Sequence, residues 1–147
     1  MRKEKGKGGK MANYNATSRT NYFRVTDEEK YQEIFSKLSS EAGIEDFTKT
    51  KDDGSILHGF GSYSDIVFDN EDNDGNVYET LSELQKILPE DEAFIYLESG
   101  YERLRYVTGL YIVVTKDRIS SGNIHTHAIE KAREMLGNAA KEFKLDY

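Results

Sequence analysis

The sequence predicts an α+β fold in which three helices pack on a mostly antiparallel sheet of about five strands. Segments of strand composition alternate in mixed order with segments of helical spacing, which is typical of this class. The Asp53-Gly54 pair is a strong signal for a two-residue hairpin, which joins antiparallel strands. The 147 residues suit one domain. We expect a disordered basic tail at residues 1–12 and a single domain at residues 13–147.

A strand and a helix are predicted at the start of the domain. Residues 17–25 are rich in Thr, Tyr, Phe and Val, which favour strands. Thr26 then begins a capping box with Glu29, and the apolar positions of residues 31–38 follow helical spacing. A helix is therefore expected to start at Thr26.

The middle of the chain predicts a hairpin and a second helix. Residues 44–49 and 55–60 form the two arms around Asp53-Gly54, and the apolar run 66–68 is a candidate third strand. Apolar residues recur at helical spacing over 77–88, and Pro89 ends that pattern.

Two strands and a third helix are predicted to complete the domain. The strands cover residues 93–99 and 104–115, and the second is apolar on both faces, so it is expected at the centre of the sheet. The helix begins near Asn123, with His127 on its outer side. Its expected inner side comprises His125, Ala128, Ile129, Ala132, Met135, Leu136 and Phe143.

Composition favours a soluble cytoplasmic protein without cofactors. The chain has no cysteine, so nothing indicates a disulfide framework, a zinc knuckle or a thiol nucleophile. No apolar segment follows the basic residues 1–10, and no run of 18 apolar residues occurs. We therefore expect neither export nor a membrane span.

Charge is distributed unevenly along the chain. Residues 1–10 carry +4, residues 41–102 carry −14 and residues 103–147 carry +3, within a total of −7. Because steering follows the summed potential, this middle block favours a basic protein partner and disfavours nucleic acid.

The acidic block supplies the predicted binding site. If its loops gather on one side, carboxylates there can replace phosphates in a cationic groove, because Arg and Lys bind both groups. The candidate acids are Asp52, Asp53, Asp69, Glu71, Asp72, Asp74, Glu90, Asp91, Glu92, Glu98 and Glu102. Tyr101, Arg103 and Tyr106 are predicted to form a flanking contact patch.

Other chemistry receives less support from the sequence. Asn70, Asp72, Asp74 and Gly75 match the start of a calcium loop, but Leu81 occupies the position of the bidentate glutamate, so a polar turn is preferred. The His125-Thr126-His127 step cannot share one ligand on a helix, and His58 has no sequence-adjacent partner. We therefore predict neither an enzyme nor a metal site.

Two stretches resemble a known group of proteins. ATSRTNYFRVTDEE (16–29) and LESGYERLRYVTG (97–109) resemble strands of a loose set of small proteins carried by plasmids, conjugative elements and phages, and neighbouring proteins of this size include anti-CRISPR and antirestriction inhibitors. The resemblance implies a role against host defence and assigns no catalytic residue.

The sequence thus predicts a non-enzymatic anti-defence inhibitor whose acidic surface binds the nucleic-acid groove of a CRISPR-type effector nuclease. The alternative is a nucleic-acid-handling accessory of plasmid transfer or replication, which would use the basic tail and the Arg/Tyr strand.

Overall fold

A computed structural model of the protein describes residues 14–68, 77–137 and 142–143. It confirms the α+β class, with three helices, a six-stranded sheet and a two-stranded sheet. The elements in chain order are β1 (Asn15–Thr20), α1 (Glu28–Ser36), β2 (Glu45–Asp46), β3 (Lys49–Thr50), β4 (Ile56–Leu57), β5 (Phe60–Ser62), α2 (Val77–Lys86), β6 (Ala93–Glu102), β7 (Tyr106–Thr115), β8 (Ile119–Asn123) and α3 (Ile124–Leu136). The predicted tail at residues 1–12 lies outside the described residues.

The large sheet has the order β2-β5-β1-β6-β7-β8, and each neighbouring pair is antiparallel. β6 and β7 pair over ten residues, from Ala93 opposite Thr115 to Glu102 opposite Tyr106. A strand of this length extends for about 30 Å. We call the end of the sheet at Ala93 the upper end and the end at Glu102 the lower end.

The hydrophobic core lies between one face of this sheet and the helices α1 and α2. Phe23, Phe94 and Leu88 are completely buried, and the rings of Phe23 and Phe94 meet edge to face at 5.1 Å. Alternate residues of β6 point in opposite directions, so Tyr96 joins the core while Leu97 is half exposed on the other side. We call these two sides of the sheet the core face and the open face.

The first helix begins slightly later than the capping box predicts. Asp27 is the N-cap, and its carboxylate accepts the N–H of Lys30 at 3.0 Å. Thr26 instead donates its N–H and its hydroxyl to the carbonyl of Ile87. This tertiary contact, which sequence spacing does not reveal, ties the start of α1 to the end of α2.

The predicted hairpin is present, but its turn has three residues, 52–54, and not two, because Lys51 pairs with Ser55. β3 and β4 form its outer part, Gly54 takes the left-handed conformation (φ +89°) at its turn, and β2 and β5 continue its arms into the large sheet. The apolar run 66–68 does not form a strand, since Val67 makes a single bridge with Ser39.

The third helix does not pack as predicted. Its N-cap is Asn123, as expected, and the side chain accepts the N–H of Thr126 at 2.7 Å. However, no residue of α3 is buried, so the predicted inner side does not enter the core. The predicted place of His125 on the inner side is also wrong, because His125 is exposed; His127 is exposed as predicted, although its ring contacts Tyr111 of β7.

Candidate functional site

The upper end of the sheet collects carboxylates from three separate elements. The hairpin tip extends past β5 in this direction, α2 leads into β6 here, and α1 begins here because Thr26 is bonded to Ile87. We call this surface the acidic end, and it comprises Asp27, Glu28, Glu29, Asp52, Asp53, Glu90, Asp91 and Glu92. Five of these eight residues belong to the predicted site.

Basic side chains partly neutralise the acidic end. They are Arg24, Lys49, Lys51, Lys116 and Arg118. With Asp117 of the β7–β8 turn included, nine carboxylates stand against five cations, which leaves a local charge of −4. Over half of the protein's net charge of −7 is thus found at one end of the sheet.

Arg24 pairs with two of the predicted acids. Its Nη2 lies 2.9 Å from Asp91 and its Nε lies 3.0 Å from Glu92. Glu92 also accepts the backbone N–H groups of Arg24 and Ala93. Its carboxylate therefore joins the chain after β1 to the start of β6. These contacts give Glu92 a structural role.

Asp52, Asp53 and Glu90 are freer than Asp91 and Glu92 to meet a partner. Asp53 accepts the N–H and hydroxyl of Ser55 at 2.9 and 2.6 Å, and these hydrogen bonds lower the pKa of Asp53 below its usual range. It therefore stays ionised under mildly acidic conditions. Asp52 and Glu90 are exposed and have no hydrogen-bond or ion-pair partner within the part of the chain described.

Two predicted acids lie away from this surface. Glu98 points to the core face, where its carboxylate accepts the hydroxyls of Tyr14 at 2.9 Å and Tyr96 at 2.8 Å. Burial and the nearby carboxylate raise the pKa of Tyr14 to about 12 and also raise that of Tyr96. Glu102 ends β6 at the lower end and lies 3.4 Å from Arg105.

Four further predicted acids lie outside the described residues, namely Asp69, Glu71, Asp72 and Asp74. The same holds for the partial calcium-loop match, which begins at Asn70.

The predicted flanking patch is at the lower end, about 30 Å along β6 from the acidic end. Tyr101 is half exposed there, and Arg103 has a φ of 50°, a region that residues other than glycine rarely adopt. Leu104 and Tyr63 are 84% and 77% exposed and line the same open groove of about 850 Å³. For Tyr106 only the backbone is described. Tyr101 and Arg103 therefore form a second surface and do not flank the acids.

A buried histidine forms a cluster that the sequence did not reveal. His58 is 2% exposed, and its Nε2 lies 2.8 Å from a carboxylate oxygen of Glu28. Its Nδ1 lies 3.4 Å from the hydroxyl of Thr48, and its ring packs on the ring of Tyr31 at 4.0 Å with a tilt of 32°. Glu28 and Tyr31 belong to α1, and Thr48 lies in the other arm of the hairpin, so no short motif around His58 could indicate the cluster. The packing fixes α1 against the hairpin and leaves the ring inaccessible to a substrate.

The other two histidines do not form a ligand set. Nε2 of His127 lies 3.2 Å from the hydroxyl of Tyr111, whereas His125 is exposed. Among the described residues, no group of three or more His, Asp or Glu side chains could hold a metal ion.

Comparisons with known proteins give no family assignment. No family model, curated protein or solved structure matches the chain. In the described part of the chain, every helix is too short or too polar to cross a bilayer.

Proposed function

We propose that this protein is a non-enzymatic inhibitor whose acidic end binds the cationic nucleic-acid groove of a host-defence nuclease. A CRISPR-type effector is the expected target, on the basis of the sequence resemblance to proteins of mobile elements. Such effectors act in the cytoplasm, so the proposal places the protein there.

The proposal rests on the grouping of carboxylates at the acidic end. Asp52 and Asp53 lie at the tip of the two-stranded β3–β4 hairpin, which extends beyond β5 toward the upper end of the large sheet, and Glu90 lies at that end, before β6. A rigid scaffold that presents separated negative charges can occupy Arg and Lys side chains that otherwise hold phosphates. Long-range attraction then speeds the encounter of the two proteins.

The described residues offer little to an enzyme mechanism, which supports the non-enzymatic part of the proposal. The His58–Glu28–Thr48 cluster has a base and a hydroxyl, but the ring is closed off by Tyr31 and Phe23. General acid-base work requires a substrate within hydrogen-bond reach of the ring.

Neutralising the two unpaired acids tests the proposal. We expect the double variant Asp52→Asn/Glu90→Gln to bind its nuclease about three- to tenfold more weakly at low salt, since an exposed charge pair contributes about 0.2–1 kcal/mol. The difference should shrink as salt is added, because exposed charges are screened. Binding to a panel of guide-loaded effectors, measured across a salt series, provides the readout.

The matched control is Glu41→Gln/Glu130→Gln, which removes the same charge from exposed positions elsewhere. It should bind within about twofold of the wild type at equal salt, since only long-range attraction changes. The proposal is wrong if no effector in the panel is retained at low ionic strength, or if the two double variants weaken binding equally.

The lower end supports a second candidate function, that of a nucleic-acid-handling accessory. Tyr63, Tyr101 and Arg103 are exposed around one groove, and such side chains can stack on unpaired bases. If single-stranded DNA binds this surface, Tyr101→Ala/Arg103→Ala should reduce its retention at least tenfold, at about 1–3 kcal/mol per stacked base. Unchanged retention, or none by the wild type, excludes this role.

A further inference from the structure

The third helix turns its polar side toward the protein's own sheet. His127 and Glu130 line an open groove of about 600 Å³ between α3 and the strands β7 and β8. Successive helical residues are about 100° apart, so Ala128, Ala132 and Met135 lie on the opposite side of the helix. An ordinary amphipathic helix has the reverse arrangement.

The outward side of α3 is apolar and exposed. Met135 is 79% exposed and Leu136 46%, while Ile124, which begins α3 next to the sheet, is 56% exposed. A helix of 13 residues is marginally stable without packing of its apolar side. An exposed apolar stripe of this kind is typical of an interaction surface.

The stripe is complementary to itself. In an antiparallel pair of α3 helices centred at Glu130, each Ala128 meets Ala132 of the second copy, and each Ile124 meets its Leu136. Alanines at the crossing allow two helix axes to approach to about 8 Å.

Charge also favours a second copy at this surface. α3 contains two acidic residues, Glu130 and Glu134, and two basic residues, Lys131 and Arg133, so its own charge is zero. The whole chain carries −7, and two such chains repel one another over the acidic end. The neutral helix is thus a surface where two copies can approach without that repulsion.

The apolar surface continues from α3 onto the open face of the sheet. Ile124 lies over Gly109 so closely that a Cβ added at Gly109 would be 3.0 Å from the Ile124 side chain. Val107, two residues earlier on the same face, is 59% exposed, and Leu97 is 51% exposed. A stable interface needs about 800 Å² from each partner, which a helix of this length does not supply alone. The neighbouring strand residues extend it.

From these observations we propose that the protein forms a two-fold symmetric homodimer in which α3 packs antiparallel against α3 of a second copy. The dimer does not depend on the inhibitor function.

Light scattering over a concentration series tests the dimer directly. The wild type should pass from monomer to dimer, and Met135→Glu should raise the dimer dissociation constant at least tenfold, because it places a charge in a desolvated interface. Gln32→Glu adds the same charge at an exposed position of α1 and should leave the constant within about twofold. A wild type that stays monomeric, or a Met135→Glu variant that dimerises normally, overturns the proposal.

Cross-linking gives a second readout that does not rely on a destabilising change. The chain has no cysteine, so Ala128→Cys introduces a single thiol beside the proposed two-fold axis. A short bis-maleimide should convert most of this variant to covalent dimer, whereas Gln32→Cys should remain mostly monomeric. Equal cross-linking of the two variants contradicts the proposal. Cross-linking in a cell lysate that joins Ala128→Cys to a different protein, and not to a second copy, also contradicts it.

Discussion

The helices α2 and α3 have similar apolar spacing, but only the apolar side of α2 is buried against the sheet. Leu81 and Leu84 of α2 are buried against the core face of the sheet. In α3 the corresponding side is exposed, with Met135 at 79%. Helical periodicity therefore predicts that a helix has an apolar side, but it does not predict which surface covers that side.

The attachments of the two helices explain this difference. Polar contacts hold the C-terminal part of α2 to the sheet, where Gln85 donates to the carbonyl of Thr115 at 2.7 Å and Thr26 donates to Ile87 just beyond the helix. The contacts of α3 are near its start, through Ile124 and His127. A helix held by its first turns can present its remaining length to another molecule.

The largest expected effect is a cavity under the covered helix. Leu88 follows α2 and is completely buried, so Leu88→Ala should lower the free energy of unfolding by about 2–5 kcal/mol. Met135→Ala, measured at a concentration where the protein is monomeric, should change it by less than about 0.5 kcal/mol. Urea denaturation gives the free energy of unfolding of both variants. Equal losses of stability would contradict the view that α2 is packed in the core and α3 is not.

Alkaline pH should weaken the covered region next. Burial raises the pKa of Tyr31, Tyr96 and Tyr14, that of Tyr14 to about 12. These phenols ionise near pH 10 in the unfolded chain and at a higher pH in the folded protein. Stability is therefore unaffected by them below pH 10 and should fall as the pH rises from 10 toward 12.

Thermal denaturation over this pH range checks the alkaline effect. Tyr31→Phe should flatten part of the fall, since it removes one of the shifted groups. A stability that is flat up to pH 12 contradicts the assigned burial.

The helix caps should give the smallest difference. Asp27→Ala removes the N-cap of the packed helix α1 and should cost about 1 kcal/mol of global stability. Asn123→Ala removes the N-cap of α3 and should cost less in the monomer, because α3 can open without unfolding the core. Chemical denaturation gives both values, and a larger loss for Asn123→Ala would show that α3 belongs to the core.

Much of the fold could be predicted because its signals are local. The Asp53-Gly54 pair, the apolar spacing before Pro89 and the alternation along residues 104–115 identified the hairpin, α2 and β7. The predicted central position of β7 is wrong, because β7 lies next to the edge strand β8 and is half exposed on its open face at Val107. β8 was missed because its sequence, ISSGN, has low strand propensity and is held by pairing with β7.

The candidate site was predictable only in part. The sequence identified the acids, and five of them lie at the acidic end. It could not show that Arg24 pairs with Glu92, because the two residues are 68 positions apart. It also could not show that Glu98 accepts the hydroxyls of Tyr14, which is 84 positions away, and of Tyr96, which lies on the same face of β6. The His58–Glu28 contact was missed for the same reason.

Hydrogen exchange at low and high protein concentration tests most directly whether a second copy covers α3. The amides of α2 should show the same protection at both concentrations, because their cover belongs to the same chain. Protection of the α3 amides should rise with concentration as the dimer forms. If α3 stays unprotected at high concentration, or is as protected as α2 at low concentration, the contrast between the two helices is wrong.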